Sequence, residues 1–283
     1  MNADVRMQIL LRQVKDLPSL PDVAVKVART IDHPNAGAID VARVLSRDQG
    51  LTARVLRLAN SVFYGATRRI STVSDAIVLL GMRTVRNLAM ASSVEEVLGR
   101  EVPGYSMRRG DLWRHSCACA NAAQSLAATI HYPVPEEAFV AGLLHDVGKV
   151  LLSVHMQAEF THVLKLTEDE DISFMVAEQR TLGFDHAEVG ACVLERWNLP
   201  NPLVQAVRYH HAPMAQPEFS KLTALVHVAD AICVLMGIGI GGDGLHYALD
   251  REAQARLGLS DEQIERQISD LSDLGKESAE IAR

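Results

Sequence analysis

His145 and Asp146 stand side by side in Ala141-Gly142-Leu143-Leu144-His145-Asp146-Val147-Gly148-Lys149, a stretch otherwise apolar enough to be the middle of a buried helix. The histidine offers a neutral nitrogen and the aspartate an anionic oxygen to one metal centre, and the carboxylate can bridge to a second ion. Further candidates recur at His115, His186, His210, His211 and Asp230, each in a segment that reads as amphipathic or buried helix. Together they could surround two metals. Such a centre performs metal-assisted hydrolysis by lowering the pKa of a bound water and clamping the attacking and leaving oxygens of a phosphoryl group. Lys149, three residues after Asp146, is placed to meet a substrate phosphate or the bridging carboxylate; the alternative is a solvated helix end near a carboxyl terminus. Asp111 lies four residues before His115, hence on the same helical face, where it could add an acidic ligand, although an exposed residue or N-cap is the simpler reading.

Helices are needed to position these residues, and the composition favours them. Aromatics make up 5% of the 283 residues and hydrophobics 48%, with Ala, Val and Leu abundant, a balance that suits closely packed helices rather than a sandwich or barrel. An all-α fold is expected. Apolar spacing predicts a first helix to about Lys15 and another from Pro21-Asp22, with Val23, Val27, Ala28 and Ile31 on its buried face. A turn at His33-Pro34-Asn35-Ala36-Gly37 precedes helices through Ile39 to Leu45 and over residues 49 to 60. Ser74 is the expected N-cap for Asp75 to Leu80, and a longer helix follows from about Arg83 to Leu98. Gly99 to Gly104, containing Pro103, is the best linker candidate. Beyond it, helices are expected at about 107–130, 136–152, 156–167, 171–181, 186–197, 200–211, 219–236 and 261–275. Gly237 to Gly244 is too glycine-rich to continue a helix and lacks the strand-loop-helix setting of a dinucleotide loop; it reads as a flexible loop.

The formal charge of −7 is uneven. Residues 1 to 100 hold 14 Lys+Arg and 9 Asp+Glu, a net +5, whereas the remainder holds 14 and 26, a net −12. The N-terminal arginines are scattered along several helices, which disfavours a nucleic-acid partner. Cys117, Cys119, Cys192 and Cys233 lack the paired spacing of a zinc ribbon or redox motif and read as small core thiols. The N-terminus shows no apolar run ending in a cleavage site, and the most apolar later runs are interrupted by His145-Asp146 and by His227 and Asp230. A reduced, cytoplasmic protein without a membrane partner is the expectation.

Several segments resemble a known family. Leu17-Pro18-Ser19-Leu20-Pro21, Ala59-Asn60-Ser61-Val62-Phe63-Tyr64-Gly65, Ala76-Ile77-Val78-Leu79-Leu80-Gly81, the stretch Ala141 to Lys149 and Trp197-Asn198-Leu199-Pro200 look like an HDOD domain, the HD-related output domain of bacterial signalling proteins. The resemblance covers roughly residues 17 to 235. It implies a two-lobed all-α fold, with an N-terminal helical bundle over 1–102 and an HD-type lobe with a C-terminal helical extension over 103–283. It also implies roles: His115 matches the first histidine of an HD site, His145-Asp146 the naming pair, His186 and His210-His211 the added histidines of dinuclear members, and Asp230 the closing aspartate. One cation would then use His115, His145, Asp146 and Asp230; a second would use His186, His210 and His211 and share Asp146. Nitrogen and carboxylate donors suit iron or manganese, with zinc and nickel also compatible.

One departure bears on function. The HD-GYP phosphodiesterases resemble this ligand set but carry a Gly-Tyr-Pro signature soon after the paired histidines, where this chain has Ala212-Pro213-Met214-Ala215-Gln216-Pro217. That difference weighs against cyclic-di-GMP hydrolysis and leaves metal binding untouched. Two readings stand. The favoured one is a regulatory output module that docks a signalling protein through its N-terminal bundle; the alternative is a metal-dependent phosphohydrolase acting on a nucleotide or other phosphoester, with Asp146 and Lys149 as its catalytic residues. Asn60 and Tyr64 are expected to close a helix and pack the loop after it rather than bind a partner, and Arg68-Arg69 to be solvated rather than an anion site. His131, His155, His162, His227 and His246 are expected at the surface or behind the ligands, and His33 in a turn.

Overall fold

In the computed structural model, residues 3–13, 26–27, 30–31, 33, 36–60, 69–242 and 248–281 are described. Among them there is no strand, and the lone β-bridge joins Val102 to Met107. The all-α expectation holds. The helices are α1 (Ala3–Gln13), α2 (Ala38–Leu45), α3 (Gln49–Ala59), α4 (Val73–Leu80), α5 (Met82–Leu98), α6 (Asp111–Thr129), α7 (Pro135–Leu144), α8 (Val147–His155), α9 (Gln157–Glu170), α10 (Phe174–Leu182), α11 (His186–Arg196), α12 (Asn201–Tyr209), α13 (Lys221–Leu235), α14 (Arg251–Leu257) and α15 (Asp261–Ile281).

Contacts divide the chain into two units. One comprises Pro18–Glu96 with Asp270–Arg283, and the other Met1–Leu17 with Val97–Ser269. The first is built on a core that includes Val41, Leu45, Leu51, Val55, Ile70, Ala76 and Leu88. Its turns are fixed by side chains: Asp48 accepts the Leu51 amide at 2.9 Å as the N-cap of α3, and Asn60 clamps Ile70 by accepting its N–H and donating to its carbonyl, both at 2.8 Å. Asn60 thus has the structural role expected of it. Thr72, rather than Ser74, caps α4, because its hydroxyl accepts the Asp75 amide at 3.0 Å. Helix α1 packs within the second unit, where Arg6 pairs with Glu159 at 3.1 Å and donates to the Thr181 carbonyl. The Leu17-Pro21 run, the start of the helix expected from Pro21-Asp22, the Ser61 to Arg68 stretch and His246 lie outside the described residues; of that helix Val27 and Ile31 are described, and Val27 is fully buried as expected.

Two corrections concern segments that hold the site. The helix expected over 136–152 is two helices, α7 and α8, broken at His145-Asp146, where Asp146 takes φ −102°, ψ 10°. The break lies in a sparsely populated backbone region that active-site residues often use, and it follows from packing at glycines on either side. A Cβ at Gly142 would stand 3.0 Å from the Cys119 carbonyl oxygen, and one at Gly148 would overlap the His186 carbonyl oxygen and stand 2.7 Å from the Gly190 amide. So α7 lies hard against α6, and α8 against α11. Pro135–His155 is long and apolar enough to cross a membrane by length and composition, but 89% of its window is buried inside the fold, as the core of this unit.

Second, Gly99 to Gly104 is no free linker. Val102 and Tyr105 are fully buried, the Gly104 amide donates to Ser153 Oγ at 3.0 Å, and a Cβ on Gly104 would meet the Phe160 ring at 2.8 Å. The expected flexible loop is likewise packed over its described residues 237 to 242. A Cβ at Gly239 would overlap the Asp111 carbonyl and one at Gly241 the Tyr105 carbonyl, so only glycine permits this approach. The short helix α14 had no counterpart in the sequence reading; Asp250 caps it by accepting the amides of Glu252 and Ala253.

Candidate metal centre

Six helices deliver the ligand candidates to one point in the second unit. His115 comes from the second turn of α6, His145 and Asp146 from the α7–α8 break, His186 from the first turn of α11, His210 and His211 from the end of α12, and Asp230 from α13. Asp146 sits at the centre: its Oδ2 is 3.2 Å from His145 Nε2 and 3.7 Å from His115 Nε2, while its Oδ1 is 3.4 Å from His186 Nε2 and 3.8 Å from His210 Nε2. Asp230 Oδ1 lies 2.9 Å from His115 Nε2 and 3.6 Å from His145 Nε2. His186 and His211 face each other, Nε2 to Nε2, at 2.7 Å. All seven residues named from the sequence come together.

The imidazoles are aimed by what holds their outer nitrogens. Nδ1 of His145 lies 2.7 Å from the Gly142 carbonyl, Nδ1 of His210 2.7 Å from the Val207 carbonyl, Nδ1 of His115 2.9 Å from the Ile238 carbonyl and Nδ1 of His186 2.7 Å from Glu178 Oε2. Each acceptor fixes the Nδ1–H tautomer and leaves Nε2 as a lone-pair donor toward the centre, the arrangement that metal-ligating histidines use.

A quartet and a trio of donors fit cations. Asp146, His186, His210 and His211 each offer an atom within 4.8 Å of the others, and so do His115, His145 and Asp146, with Asp146 common to both sets. The interior itself asks for an occupant: His145 Nε2, His210 Nε2 and Asp146 Oδ1 are buried with no hydrogen-bond partner, a costly state for polar atoms. A cation is the partner that nitrogen and carboxylate lone pairs would share.

Electrostatics point the same way. Burial opposes a charge on Asp146, yet His145 and then Lys149 outweigh it and hold its carboxyl well below the usual carboxylate range. Asp230 is also held well below that range, burial being overcome by His145 and His115. Burial works against a proton on His145, but Asp146, then Cys119 and Asp230, raise it well above the usual imidazole value. His186 is raised too, burial being outweighed by Glu178. Burial, followed by the neighbouring His145, pushes His210 down to about 3, and His211 falls well below its ordinary value through desolvation and then His210 and His186.

Lys149 occupies the first turn of α8 rather than a solvated helix end. It is 4% exposed, its Nζ sits 2.5 Å from Asp146 Oδ2, and it lies 5.5 Å from the centre of the Tyr105 ring. Asp111 stays out of the cluster: one carboxylate oxygen accepts the Arg108 amide at 2.8 Å and the other pairs with Arg114 at 2.5 Å. His131 and His162 are exposed, and His227 lies behind the ligands with Nδ1 2.8 Å from the His210 carbonyl. Sequence reasoning missed Glu178 and Tyr105. Glu178 shares the buried stripe Phe174, Ala177, Leu182 of α10, a spacing that could have marked it. Tyr105 falls between the supposed linker, Gly99 to Gly104, and the next expected helix. A cavity of about 110 Å³ opens onto the cluster, lined by His115, Lys149, His186, His211 and Asp230 and by Phe174, Met175 and Ile240.

The second unit is all-helical, and its buried histidines and aspartates, gathered around one carboxylate, could hold metal. The chain belongs to the HDOD domain family, whose model matches residues 17–213. Similar solved structures are an HDOD domain protein of Geobacter sulfurreducens (31% identity, TM-score 0.79, 98% of this chain and 97% of that one) and a candidate phosphohydrolase of Shewanella amazonensis (28%, 0.71, 95% and 97%). A candidate signal transduction protein of Marinobacter aquaeolei matches at 26% identity and TM-score 0.76, over 96% of this chain and 61% of its own. A curated relative from Treponema pallidum is 28% identical over 220 residues; the match takes in 77% of this chain and 42% of that protein's length.

Proposed function

We propose that this protein is a signalling output module whose second unit holds two divalent cations, iron or manganese by donor type, and that it relays a signal to a protein partner through its N-terminal bundle. His115, His145, Asp146 and Asp230 would hold one ion and His186, His210 and His211 the other, with Asp146 shared. When bound, the ions would supply Lewis acidity at the base of the cavity. The chain's own residues bind and orient: the Nδ1 acceptors aim the imidazoles, Lys149 neutralises the shared carboxylate, and Gly239 and Ile240 narrow the opening.

The observation that carries the module reading over the enzyme reading is the size of the cavity. At about 110 Å³ it is small beside the roughly 300–1,000 Å³ of pockets that enclose small-molecule ligands, which favours water or a phosphate-sized anion over an enclosed nucleoside. The similarity to the Marinobacter protein agrees with this reading. Metal-dependent hydrolysis of a phosphoester is the second reading, favoured by Lys149 in the cavity wall beside Asp146 and by the similarity to the Shewanella protein. A panel of phosphomonoesters, cyclic nucleotides and generic diesters, assayed on manganese-loaded and iron-loaded protein, decides between them. No turnover is expected; metal-dependent turnover abolished by Asp146→Asn would overturn the module reading.

A further inference from the structure

Resting on the two-cation reading, we infer that Glu178, held in place by Tyr105, is the positioning residue of His186 and sets how tightly the cation on the His186, His210 and His211 side is bound, leaving the other cation unaffected. Three of the four Nδ1 acceptors around the centre are backbone carbonyls, those of Gly142, Val207 and Ile238. The fourth is a carboxylate. Glu178 Oε2 lies 2.7 Å from His186 Nδ1 and also accepts the His186 backbone N–H at 3.1 Å, so it grips this ligand at two atoms. Its other oxygen accepts the hydroxyl of Tyr105.

The surroundings make this grip firm. Glu178 is fully buried, on a helix that supplies no ligand of its own. Tyr105 is equally buried, and its ring packs on Phe160 and Phe174 with centroids 4.9 and 5.0 Å away. A carboxylate in so dry a place is retained only when its oxygens are paired, and here His186 and Tyr105 pair both. An anionic acceptor draws the Nδ1 proton toward itself and makes Nε2 a stronger donor than a carbonyl acceptor does. The His186 side therefore carries an electronic handle that His115 and His145 lack.

The test is manganese titration of metal-depleted full-length protein by calorimetry, with bound metal counted by mass spectrometry. Wild type is expected to take up two equivalents. Glu178→Gln should bind one of them unchanged and the other about 10–100-fold more weakly; Tyr105→Phe should weaken that same equivalent by less, and His115→Ala the opposite one. In zinc-loaded protein, the His186 Nδ1 proton should resonate downfield of those of His145 and His210, and Glu178→Gln should bring it back among them. Equal weakening of both equivalents, or an unmoved resonance, would assign Glu178 a merely structural role and overturn the inference. If Glu178→Gln does not fold, Tyr105→Phe, which keeps the ring, decides: both equivalents unchanged overturns the inference. A wild type that binds no cation sinks the two-cation reading and this one with it; two cations bound equally well by wild type and Glu178→Gln sinks this one alone.

Discussion

At the scale of single residues, Asp146 carries the most weight because its two oxygens face different sets of histidines. Asp146→Asn should abolish uptake of both cations, whereas His115→Ala should remove one; equilibrium dialysis with metal analysis distinguishes the two. Cation binding should also release protons near neutral pH. His145 and His186 are raised above the ordinary imidazole value, and His210 and His211 are lowered below theirs, so the first pair keeps its protons to higher pH than the second in the metal-free protein. A ligand must shed its proton, so affinity should rise with pH. Calorimetry in buffers of different ionisation enthalpy should register net release, and a value of zero would contradict the assignment. The seven ligand positions were legible because charged and imidazole groups inside apolar helices stand out in a sequence. Glu178 was less so, because its partner, the His186 ring, reaches it only through the turn between α10 and α11.

At the scale of elements, small residues set the geometry. The contact of α8 with α11 at Gly148 is what carries His186 to Asp146, so Gly148→Ala should force the helices apart and cost at least about 1–3 kcal/mol, the usual range for overpacking. Chemical denaturation measures the loss, and cation uptake should fall with it. Asn60→Ala in the other unit should cost about 1–3 kcal/mol by leaving the Ile70 amide and carbonyl without their partner, with cation uptake unchanged. Helix existence was legible from apolar spacing, and several boundaries, such as 186–196 and 221–235, fall within two residues of expectation. The break at His145-Asp146 was not legible, because a polar pair inside an apolar helix reads as ligands and the apolar residues resume at Val147. What separates α7 from α8 is contact with α6 and α11, which lie distant in sequence. Gly237 to Gly242 misled for a related reason: glycines that permit a tight approach look the same in sequence as glycines that permit motion.

At the scale of the whole molecule, the second unit draws on both ends of its sequence. Arg6 of α1 meets Glu159 across a separation of 153 residues, a pairing that no local pattern announces. The segment Gly99 to Gly104, just past the unit boundary, looked like a linker from its glycines and proline yet leads straight into Tyr105, buried beside the ligands. Because the ligands all belong to one unit, cations should stabilise that unit selectively. At a free concentration 100 times the dissociation constant the gain is about 2.7 kcal/mol per site, and chelation should lower one calorimetric transition while leaving any transition of the other unit in place. The account turns on two cations flanking one carboxylate. Anomalous diffraction from manganese-soaked crystals tests it most directly: two peaks are predicted, one among His115, His145 and Asp230 and one among His186, His210 and His211, with Asp146 between them. A single peak, or none within reach of Asp146, would contradict it.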